Sequence, residues 1–444
     1  MAPDTQRILL LSMCGPEHFA GLGYDLIKAL EQNGHKVDYL TKYTSNHPAV
    51  IGLFPAPKPP LTHRIKRRFS FLTCLKPVFR FFRPEKPPTI PYLHKNGLIL
   101  VSPNEEEPAI DTALILSKIQ PIYDVVLVHI WQDMLTSKTL QAIYDTLHVP
   151  IILLAADMQP LTGGCYYFGD CRNFTHGCGN CPILDSTNPN DITHANHAFK
   201  KRVYASINCA FVGNTHVNQF ARLSGMFSEK QLMSGTYVMD KDEFVPLDAT
   251  TCRRALGLPA EKKYILFSRY AGNNPTVKGN DYLIASINRL AEKLDVQQKA
   301  QTLLVLAGNT NKEYERQFAI DVLNVGFLSR DQLINAYSAA TVFISSSIDD
   351  AGPSMVNQSL MCGTPVVAFE IGTAIDAVTN GVTGYKAPLK DSDAFCDGIH
   401  SILQLSPADY MTMRNNCRTF AEEHYSFSAY ANNIAAIYHQ LIGA

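Results

Sequence analysis

Short apolar runs alternate with helical patterns along almost the whole chain, and this alternation restricts the fold more than any other feature. The run Ile8–Ser12 precedes a segment in which Leu26, Ile27 and Leu30 fall on one helical face. Strand–helix–strand alternation favours parallel sheets, because each helix returns the chain to the edge where the previous strand began. The sequence therefore predicts an α/β fold with doubly wound parallel sheets covered on both faces.

The alternation starts again in the second half of the chain. Lys263–Ser268 begins a new series of strands and helices, whereas Asp240–Asp248 has turn-type residues and weak periodicity. A chain of 444 residues also exceeds the usual size of one core. We predict two Rossmann-like domains, residues 1–240 and 241–420, that face each other. A ligand would lie at the carboxyl ends of their strands, in the cleft between them.

Composition limits the classes of partner. The formal net charge is −1 with 18% charged residues, which does not favour nucleic acid. Eleven cysteines, an odd number, without a recognisable secretory signal favour a reducing compartment, and no apolar run has the ~18 residues of a membrane span. We expect a cytoplasmic protein, either free or peripheral on the inner face of the cytoplasmic membrane.

One segment, residues 55–91, departs from the alternation. It is proline-rich at both ends, and its middle, residues 64–83, combines arginines and lysines with apolar residues at helical spacing. One interpretation is a membrane-surface contact through residues 64–83. The other is a flexible insertion whose aromatic side chains pack on its own domain. Pro77 would kink a helix in either case.

Four cysteines are concentrated in the glycine-rich residues 162–182. They are Cys165, Cys171, Cys178 and Cys181. The spacing Cys-x5-Cys-x6-Cys-x2-Cys is long enough to close a tetrahedral site, and four thiolates are a usual ligand set for structural zinc. An iron–sulfur cluster would use the same ligands, and two disulfides would require an oxidising compartment. We expect a structural zinc site, with the other two states left open.

Two cations and a glycine–proline turn predict a diphosphate site in the second half. Arg269 directly follows a predicted strand and Lys278 precedes a predicted helix, whose N-terminus favours anions. Further on, Gly352 is expected to need an unusual backbone angle, and Pro353 to occupy the first helical position. The amides that would then point into the cleft belong to Ser354, Met355 and Val356.

The stretch "DAGPSMVNQSLMCGTPVVAF", residues 350–369, resembles the mark of glycosyltransferase family 4, retaining enzymes of the two-domain GT-B fold. That mark is E-x7-E followed by A-M-A-C-G-T-P-V-V-A. The resemblance implies that Asp350 stands in place of the first glutamate, near the donor sugar hydroxyls. It places Gln358 at the second, which holds the nucleotide ribose. Aspartate keeps the charge with a shorter reach, whereas glutamine can hydrogen-bond a ribose diol but is not an anion.

The resemblance extends over essentially the whole chain and implies further roles. Arg269 and Lys278 match the diphosphate-binding pair, and His129, at the end of a strand, matches a histidine near the reaction centre. Residues matching the loop at the base and the turn beside the phosphates are Gly326, Phe327, Gly372 and Thr373. Glycines matching the first loop, on the acceptor side, are Gly15, Gly21 and Gly23. Residues 421–444 would form a helix that crosses back to the N-terminal domain.

The cysteine segment itself resembles a stretch, T-G-G-C-H-Y…C…G-C-G-x-C-P, found in bacterial family 4 enzymes that build surface polysaccharides. Tyr166 stands here where that histidine is usual. Ala156 stands where a histidine commonly precedes the residue matching Asp157, which we expect on the acceptor side. Residues 1–240 would accordingly bind the acceptor and 241–420 the nucleotide sugar.

The implied function is retaining transfer of a sugar from a nucleoside-diphosphate sugar to a saccharide or lipid-linked saccharide acceptor. His129, Arg269, Lys278 and Asp350 would act at the reaction centre. The cations would replace a divalent metal, so no catalytic metal is expected. Asp350 and Gln358, in place of two glutamates, leave open a sugar-nucleotide-binding protein without transfer activity. A GT-B nucleotide-sugar epimerase is a third alternative.

Overall fold

The computed structural model describes residues 5–56, 92–95, 98–101, 104–235, 237–270, 276–309 and 311–443. Its first ten strands are β1 (Arg7–Ser12), β2 (Lys36–Tyr43), β3 (Val50–Phe54), β4 (Leu93–Lys95), β5 (Leu98–Leu100), β6 (Val125–His129), β7 (Ile151–Leu154), β8 (Cys165–Tyr167), β9 (Cys209–Gly213) and β10 (Leu232–Ser234). The other six are β11 (Tyr264–Tyr270), β12 (Thr302–Gly308), β13 (Asp321–Gly326), β14 (Val342–Ser345), β15 (Val366–Phe369) and β16 (Gly384–Ala387).

Within these residues the strands form two large parallel sheets, as the alternation predicts. The first has the order β10-β9-β7-β6-β1-β2-β3, and the second has the order β13-β12-β11-β14-β15-β16. Every pairing in both sheets is parallel. The doubly wound α/β prediction is confirmed. A small antiparallel sheet, β4-β5-β8, is an addition that the sequence pattern did not predict.

Helices cover both faces of the large sheets. The helices are α1 (His18–Gln32), α2 (Thr112–Leu116), α3 (Ser137–Leu147), α4 (Ile192–Ser206), α5 (Thr215–Ser224), α6 (Ala249–Ala255), α7 (Asn280–Lys293), α8 (Val296–Ala300), α9 (Lys312–Glu315), α10 (Arg330–Ala339), α11 (Ser354–Met361), α12 (Ala374–Ala377), α13 (Ser392–Leu403), α14 (Pro407–Tyr425) and α15 (Phe427–Ile442). Consecutive residues of β1 show the two-sided burial: Ile8 and Leu10 belong to one core, Leu9 and Leu11 to the other.

The last helix, α15, packs on the first sheet, although the chain leaves the second sheet just before it. Tyr430, Ile434 and Ile437 of α15 are buried in the same cluster as Ile8 and Leu30 of the N-terminal half. The asparagine side chain of Asn208 also donates to the Leu441 carbonyl at 3.0 Å. The end of the chain thus contributes to the first core and ties the two halves together.

The basic insertion cannot be compared with its prediction, since residues 57–91 lie outside the described residues. A surface contact through residues 64–83 therefore stays a prediction. Among the helices in the described ranges, none is both long and apolar enough to cross a membrane.

A buried ion pair supports the segment that leads to the cysteines. The Lys200 ammonium lies 3.3 Å from a Glu105 carboxylate oxygen, and both side chains are almost fully buried. The ammonium also donates to the carbonyls of Gln159 and Thr162, at 2.7 and 3.1 Å. Glu105 in turn accepts from the backbone N–H and hydroxyl of Ser137, both at 2.7 Å. The pair is thus fully hydrogen-bonded, as buried charges must be.

We predict that Lys200→Met lowers the free energy of unfolding by about 3–5 kcal/mol, because it leaves the Glu105 carboxylate buried without a counter-ion. Lys201→Met, on the exposed neighbouring position, is the matched control and should change stability by less than about 0.5 kcal/mol. Urea denaturation of both variants measures the difference. Equal stabilities would show that the pair does not support the fold.

Candidate active site

A cavity of about 230 Å³ lies between the carboxyl-end edges of the two large sheets. Both domains line it. Six residues predicted from the sequence meet there, namely His129, Arg269, Lys278, Asp350, Ser354 and Met355. Parallel strands bring the residues that follow them to one edge of each sheet, so these positions converge although they lie far apart in the chain.

Lys278 is directed into the cavity by the tight connection that precedes α7. Gly279 adopts φ +64°, and a Cβ there would lie 1.9 Å from the Ser346 carbonyl oxygen, so only glycine fits. The Ser346 hydroxyl donates to the Lys278 carbonyl at 3.0 Å. The Lys278 ammonium forms an ion pair with Asp350 and lies 5.9 Å from the centre of the Tyr167 ring.

Arg269 reaches the cavity from β11 with an exposed side chain. It forms no ion pair with any residue in the described ranges. Burial raises the pKa of the Tyr337 hydroxyl well above its usual value, and the nearby Arg269 charge opposes that rise. Tyr337 donates to the Gln358 side-chain oxygen at 2.8 Å. Arg269 is thus a cation available to an anionic ligand, close to the Tyr337–Gln358 pair.

The glycine–proline turn differs in detail from the prediction. Gly352 does not have a positive φ. It is required by close approach instead, since a Cβ there would lie 1.7 Å from the Tyr237 hydroxyl. Pro353 precedes α11 as its N-cap, one position earlier than predicted.

The Val356 amide, predicted to face the cleft, donates to the Pro353 carbonyl at 2.9 Å inside the turn. That amide is therefore not free for a ligand, and its predicted contact is wrong. The amides of Ser354 and Met355 precede it at the start of α11, where the helix dipole favours an anion. Both residues line the cavity. The number of helix-end donors is thus two, one fewer than the sequence predicted.

His129 is the last residue of β6 and lines the cavity from the N-terminal side. Its imidazole forms no hydrogen bond to any of the residues that the structure describes. Burial lowers its pKa to about 4. The ring is therefore neutral near pH 7 and offers one donor and one acceptor nitrogen to a ligand.

Residues from the first domain hold the phosphate-side turns of the second. The Tyr237 hydroxyl donates to the Gly352 carbonyl at 2.9 Å. The Gly372 amide donates to the His216 ring at 2.7 Å. Within the second domain, the Thr373 hydroxyl donates to Asn357 at 3.0 Å. Gly372 and Thr373 thus have hydrogen-bond partners within the protein and do not line the cavity. The resemblance had implied that they contact the phosphates.

Other predicted residues surround the cavity without lining it. Phe327 follows Gly326 (φ +73°) at the end of β13 and is 74% exposed. Asp157 lies in a small adjoining cavity, where burial raises its pKa to about 6 despite hydrogen bonds from Gln159 and Gln132. Gln358 likewise lies beside the cavity. Gly15 precedes α1, whereas Gly21 and Gly23 lie within that helix and not in the predicted loop; none of the three lines the cavity.

Sequence reasoning missed several aromatic lining residues. Tyr166 and Tyr167 follow Cys165 directly and lie in the cavity, where burial raises the pKa of both hydroxyls. Tyr237 also lines the cavity. The only sequence signal was the position of Tyr166 at a site where the resembling segment has a histidine.

Arg330 joins the two domains at the edge of the cleft. Its guanidinium lies 2.8 Å from Asp25 of α1 and 2.7 Å from Glu243 of the connecting segment. It also stacks 4.7 Å from the Phe244 ring. Asp25 is almost fully buried, and this burial raises the pKa of its carboxyl group despite the opposing Arg330 charge. These contacts hold the two domains together at the edge of the cleft.

The whole chain superposes on solved glycosyltransferase structures. Sucrose-phosphate synthase from Thermosynechococcus elongatus matches with a TM-score of 0.63 at 17% identity, covering 99% of both chains. The fold is GT-B. The Anabaena protein HepE in complex with UDP-glucose matches this GT-B chain with a TM-score of 0.60 at 14% identity, covering 99% of this chain and all of the other.

The sequence matches to known proteins lie mainly in the second domain. Residues 248–424 match the family model described as glycosyl transferases group 1. A D-inositol 3-phosphate glycosyltransferase from Kribbella flavida is 28% identical over 175 residues, 37% of this chain and 41% of that protein. The same-named protein of Mycolicibacterium smegmatis is 29% identical over 181 residues, 38% and 39% of the two chains. The chain thus spans about two fifths of these relatives.

We predict that acid weakens the His216–Gly372 contact. Burial lowers the pKa of His216 from 6.5 to about 4, so the folded state favours the neutral ring, which can accept the Gly372 amide. The stabilisation is present above pH 6.5 and is lost as the pH falls towards about 4, up to about 3 kcal/mol. His216→Gln keeps an acceptor that does not titrate.

Urea unfolding from pH 7.5 to 4 measures this effect. Wild-type stability should fall below that of His216→Gln over the window, whereas the exposed control His176→Gln should follow the wild type. Wild-type and His216→Gln curves that stay parallel throughout would contradict the assignment.

Proposed function

We propose that the chain is a retaining glycosyltransferase that moves a sugar from a nucleoside-diphosphate sugar to a saccharide or lipid-linked saccharide acceptor. The observation that carries the proposal is the interdomain cavity. There, the cations Arg269 and Lys278 and the amides of Ser354 and Met355 meet a neutral His129. This arrangement presents positive charge on one side and an uncharged hydrogen-bonding group on the other.

The chemistry expected of these groups is electrostatic. When the bond between the anomeric carbon and the diphosphate breaks, negative charge develops on the leaving phosphate. Donors already held in place stabilise that charge without reorganising. Lys278 and Arg269 would take the part that a divalent cation has in other transferases, and the α11 amides would add to it.

Asp350 holds Lys278 in the ligand-free arrangement. One carboxylate oxygen pairs with the ammonium and the other accepts the Gly352 amide at 3.0 Å. A diphosphate arriving at Lys278 would compete with this pair. Asp350 would then turn towards the hydroxyls of the transferred sugar, and the binding free energy of the diphosphate would help to orient it.

Retention would follow from the side on which the acceptor enters. Two carboxylates flanking one bond, as in glycosidases, are not found among the residues that line the described cavity, where Asp350 is the carboxylate. The acceptor oxygen would therefore attack from the face that the diphosphate leaves. The neutral imidazole of His129 would hold a hydroxyl of the transferred sugar, whereas Asp157 and Tyr166 would contact the acceptor.

The nucleoside would extend towards β13. Phe327 offers an exposed ring on which a base can stack, beside the backbone of Gly326. Gln358, held through its oxygen by Tyr337, would present its amide nitrogen to a ribose hydroxyl. The solved complexes support a sugar-nucleotide donor: HepE was crystallised with UDP-glucose. A lipid-linked acceptor would suit a protein held at the inner face of the cytoplasmic membrane through residues 64–83.

A second candidate is a sugar-nucleotide-binding protein without transfer activity. Its support is the replacement of two glutamates by Asp350 and Gln358, together with the closed Lys278–Asp350 pair. Thermal-shift screening with UDP-, GDP- and ADP-sugars would first identify the nucleotide. Product analysis with that donor would then distinguish the two functions. Anomer-retaining transfer or donor hydrolysis supports the transferase, and tight binding without turnover supports the binding protein.

We predict that Lys278→Ala lowers kcat by about 10²–10³-fold, because it removes a preorganised cation at the leaving phosphate. Lys293→Ala, which removes an exposed lysine at the C-terminal end of α7, the helix that Lys278 precedes, should keep wild-type kinetics. Steady-state kinetics and melting temperatures of both variants separate a catalytic loss from unfolding. A folded Lys278→Ala enzyme with near-normal kcat would refute the role.

We also predict that His129 acts as the neutral imidazole. Because burial lowers its pKa to about 4, its contribution should persist as the pH falls from 8 to 5 and be lost only near pH 4. The ratio of wild-type to His129→Ala kcat/KM should then be constant over pH 5–8. A ratio that declines with a midpoint near 6.5, the value of an ordinary histidine, would contradict a buried neutral ring.

A further inference from the structure

The cysteine segment surrounds a second, smaller cavity, separate from the one between the domains. The four side chains of Cys165, Cys171, Cys178 and Cys181 line one cavity of about 20 Å³. Each thiol lies within electrostatic range of the other three. A cavity of this size holds roughly one water-sized species. Four sulfurs around such a space make the ligand set for one soft or borderline metal ion.

The backbone makes tight turns around these sulfurs. Gly177, Cys178, Gly179 and Asn180 all have positive φ, between 47° and 95°. A Cβ on Gly179 would lie 2.0 Å from the Pro189 carbonyl oxygen. The two non-glycine residues among them, Cys178 and Asn180, adopt this conformation at a cost in free energy. This strain has no part in the proposed reaction.

Different backbone N–H groups donate hydrogen bonds to different cysteine sulfurs. The Gly163 amide donates to the Cys178 sulfur at 3.2 Å. The amides of Ile183 and Leu184 lie against the Cys181 sulfur. Donors of this kind stabilise thiolates, the form that binds metal, and act as the outer shell of a metal site. Burial raises the pKa of the Cys165 and Cys178 thiols, and the nearby Lys200 charge opposes that rise only in part.

We propose that these four cysteines bind one zinc ion as a tetrathiolate. As the side chains are placed, no three His, Cys, Asp or Glu residues in the described part of the chain stand close enough to ligate one ion. The sulfurs would therefore move inward into their shared cavity on binding. Each ligating thiol loses a proton, so binding releases protons and becomes weaker as the pH falls.

The site would anchor a loop of the cleft. Cys165 and Cys171 bracket residues 166–170, which carry the contacts of this segment with the second domain. The Gly169 amide donates to Asp349 at 2.9 Å, and Asp170 lies 3.5 Å from the Lys390 ammonium. Tyr167 lies under the Lys278 ammonium. A metal that fixes both ends of this loop would hold the tyrosines at the cavity. The metal assignment itself does not depend on the proposed function.

The test is the metal content of the full-length protein, purified without chelators. We expect about one zinc per chain by elemental analysis. Cobalt replacement should give the intense visible bands of tetrahedral thiolate coordination. Titration of the native protein with a mercurial should release the zinc as four thiols react, which tests the site without any substitution. Iron with a sulfide chromophore, two disulfides by thiol counting, or a protein with neither zinc nor cobalt binding would overturn the assignment.

Single cysteine substitutions distinguish the loss of a metal ligand from a general effect on packing. Cys178→Ser and Cys181→Ser should lose the zinc and melt several degrees lower. Cys252→Ser is the matched control, because its sulfur donates to Asn335 at 3.4 Å and a hydroxyl can keep that bond. It should retain one zinc per chain. If Cys178→Ser and Cys181→Ser retain stoichiometric zinc, the ligand set is wrong.

Hydrogen exchange before and after chelation tests the anchoring of residues 166–170. Faster exchange there in the metal-free protein is expected. Unchanged exchange, with zinc otherwise bound, would overturn the anchoring. Absence of transferase activity would count only against the proposed function, since zinc stoichiometry is measured without a substrate.

Discussion

Parallel strands place all their carboxyl ends at one edge of a sheet, and in this chain two such edges face each other across a cavity. His129 ends β6, whereas Arg269 and Lys278 lie at and just beyond the end of β11. Asp350 and the α11 amides follow β14. None of these residues is near His129 in sequence. Their meeting depends on contacts between the two domains that hold the two sheets in their relative position.

Those contacts come from both domains and differ in chemistry. Arg330 bridges Asp25 and Glu243, Tyr237 supports the Gly352 turn, and His216 accepts the Gly372 amide. The last helix buries apolar side chains in the first core. The polar contacts, being individually modest, are the ones suited to opening and closing the cleft.

How much of this the sequence predicts depends on the range of the interaction. Strand–helix alternation is local, so both parallel sheets were predictable, and Lys278 was recognisable from its place before a helix. Gly352 was singled out correctly for the wrong reason, since Tyr237, which requires it, lies 115 residues away. The Val356 amide was wrongly assigned to the cleft, because the sequence does not show that this amide donates to the Pro353 carbonyl and closes the turn. Tyr166 and Arg330 gave no periodic signal, because their roles arise from contacts between domains.

The central claim is that Lys278, Arg269 and the first amides of α11 together hold the diphosphate of a sugar nucleotide. The most direct measurement is a crystal structure of the protein with the nucleoside diphosphate selected by thermal-shift screening. We predict that the phosphates lie within hydrogen-bonding distance of the Lys278 ammonium and the α11 amides, with the Lys278–Asp350 pair opened. Nucleotide bound outside the interdomain cavity, with Lys278 still paired to Asp350, would contradict the account.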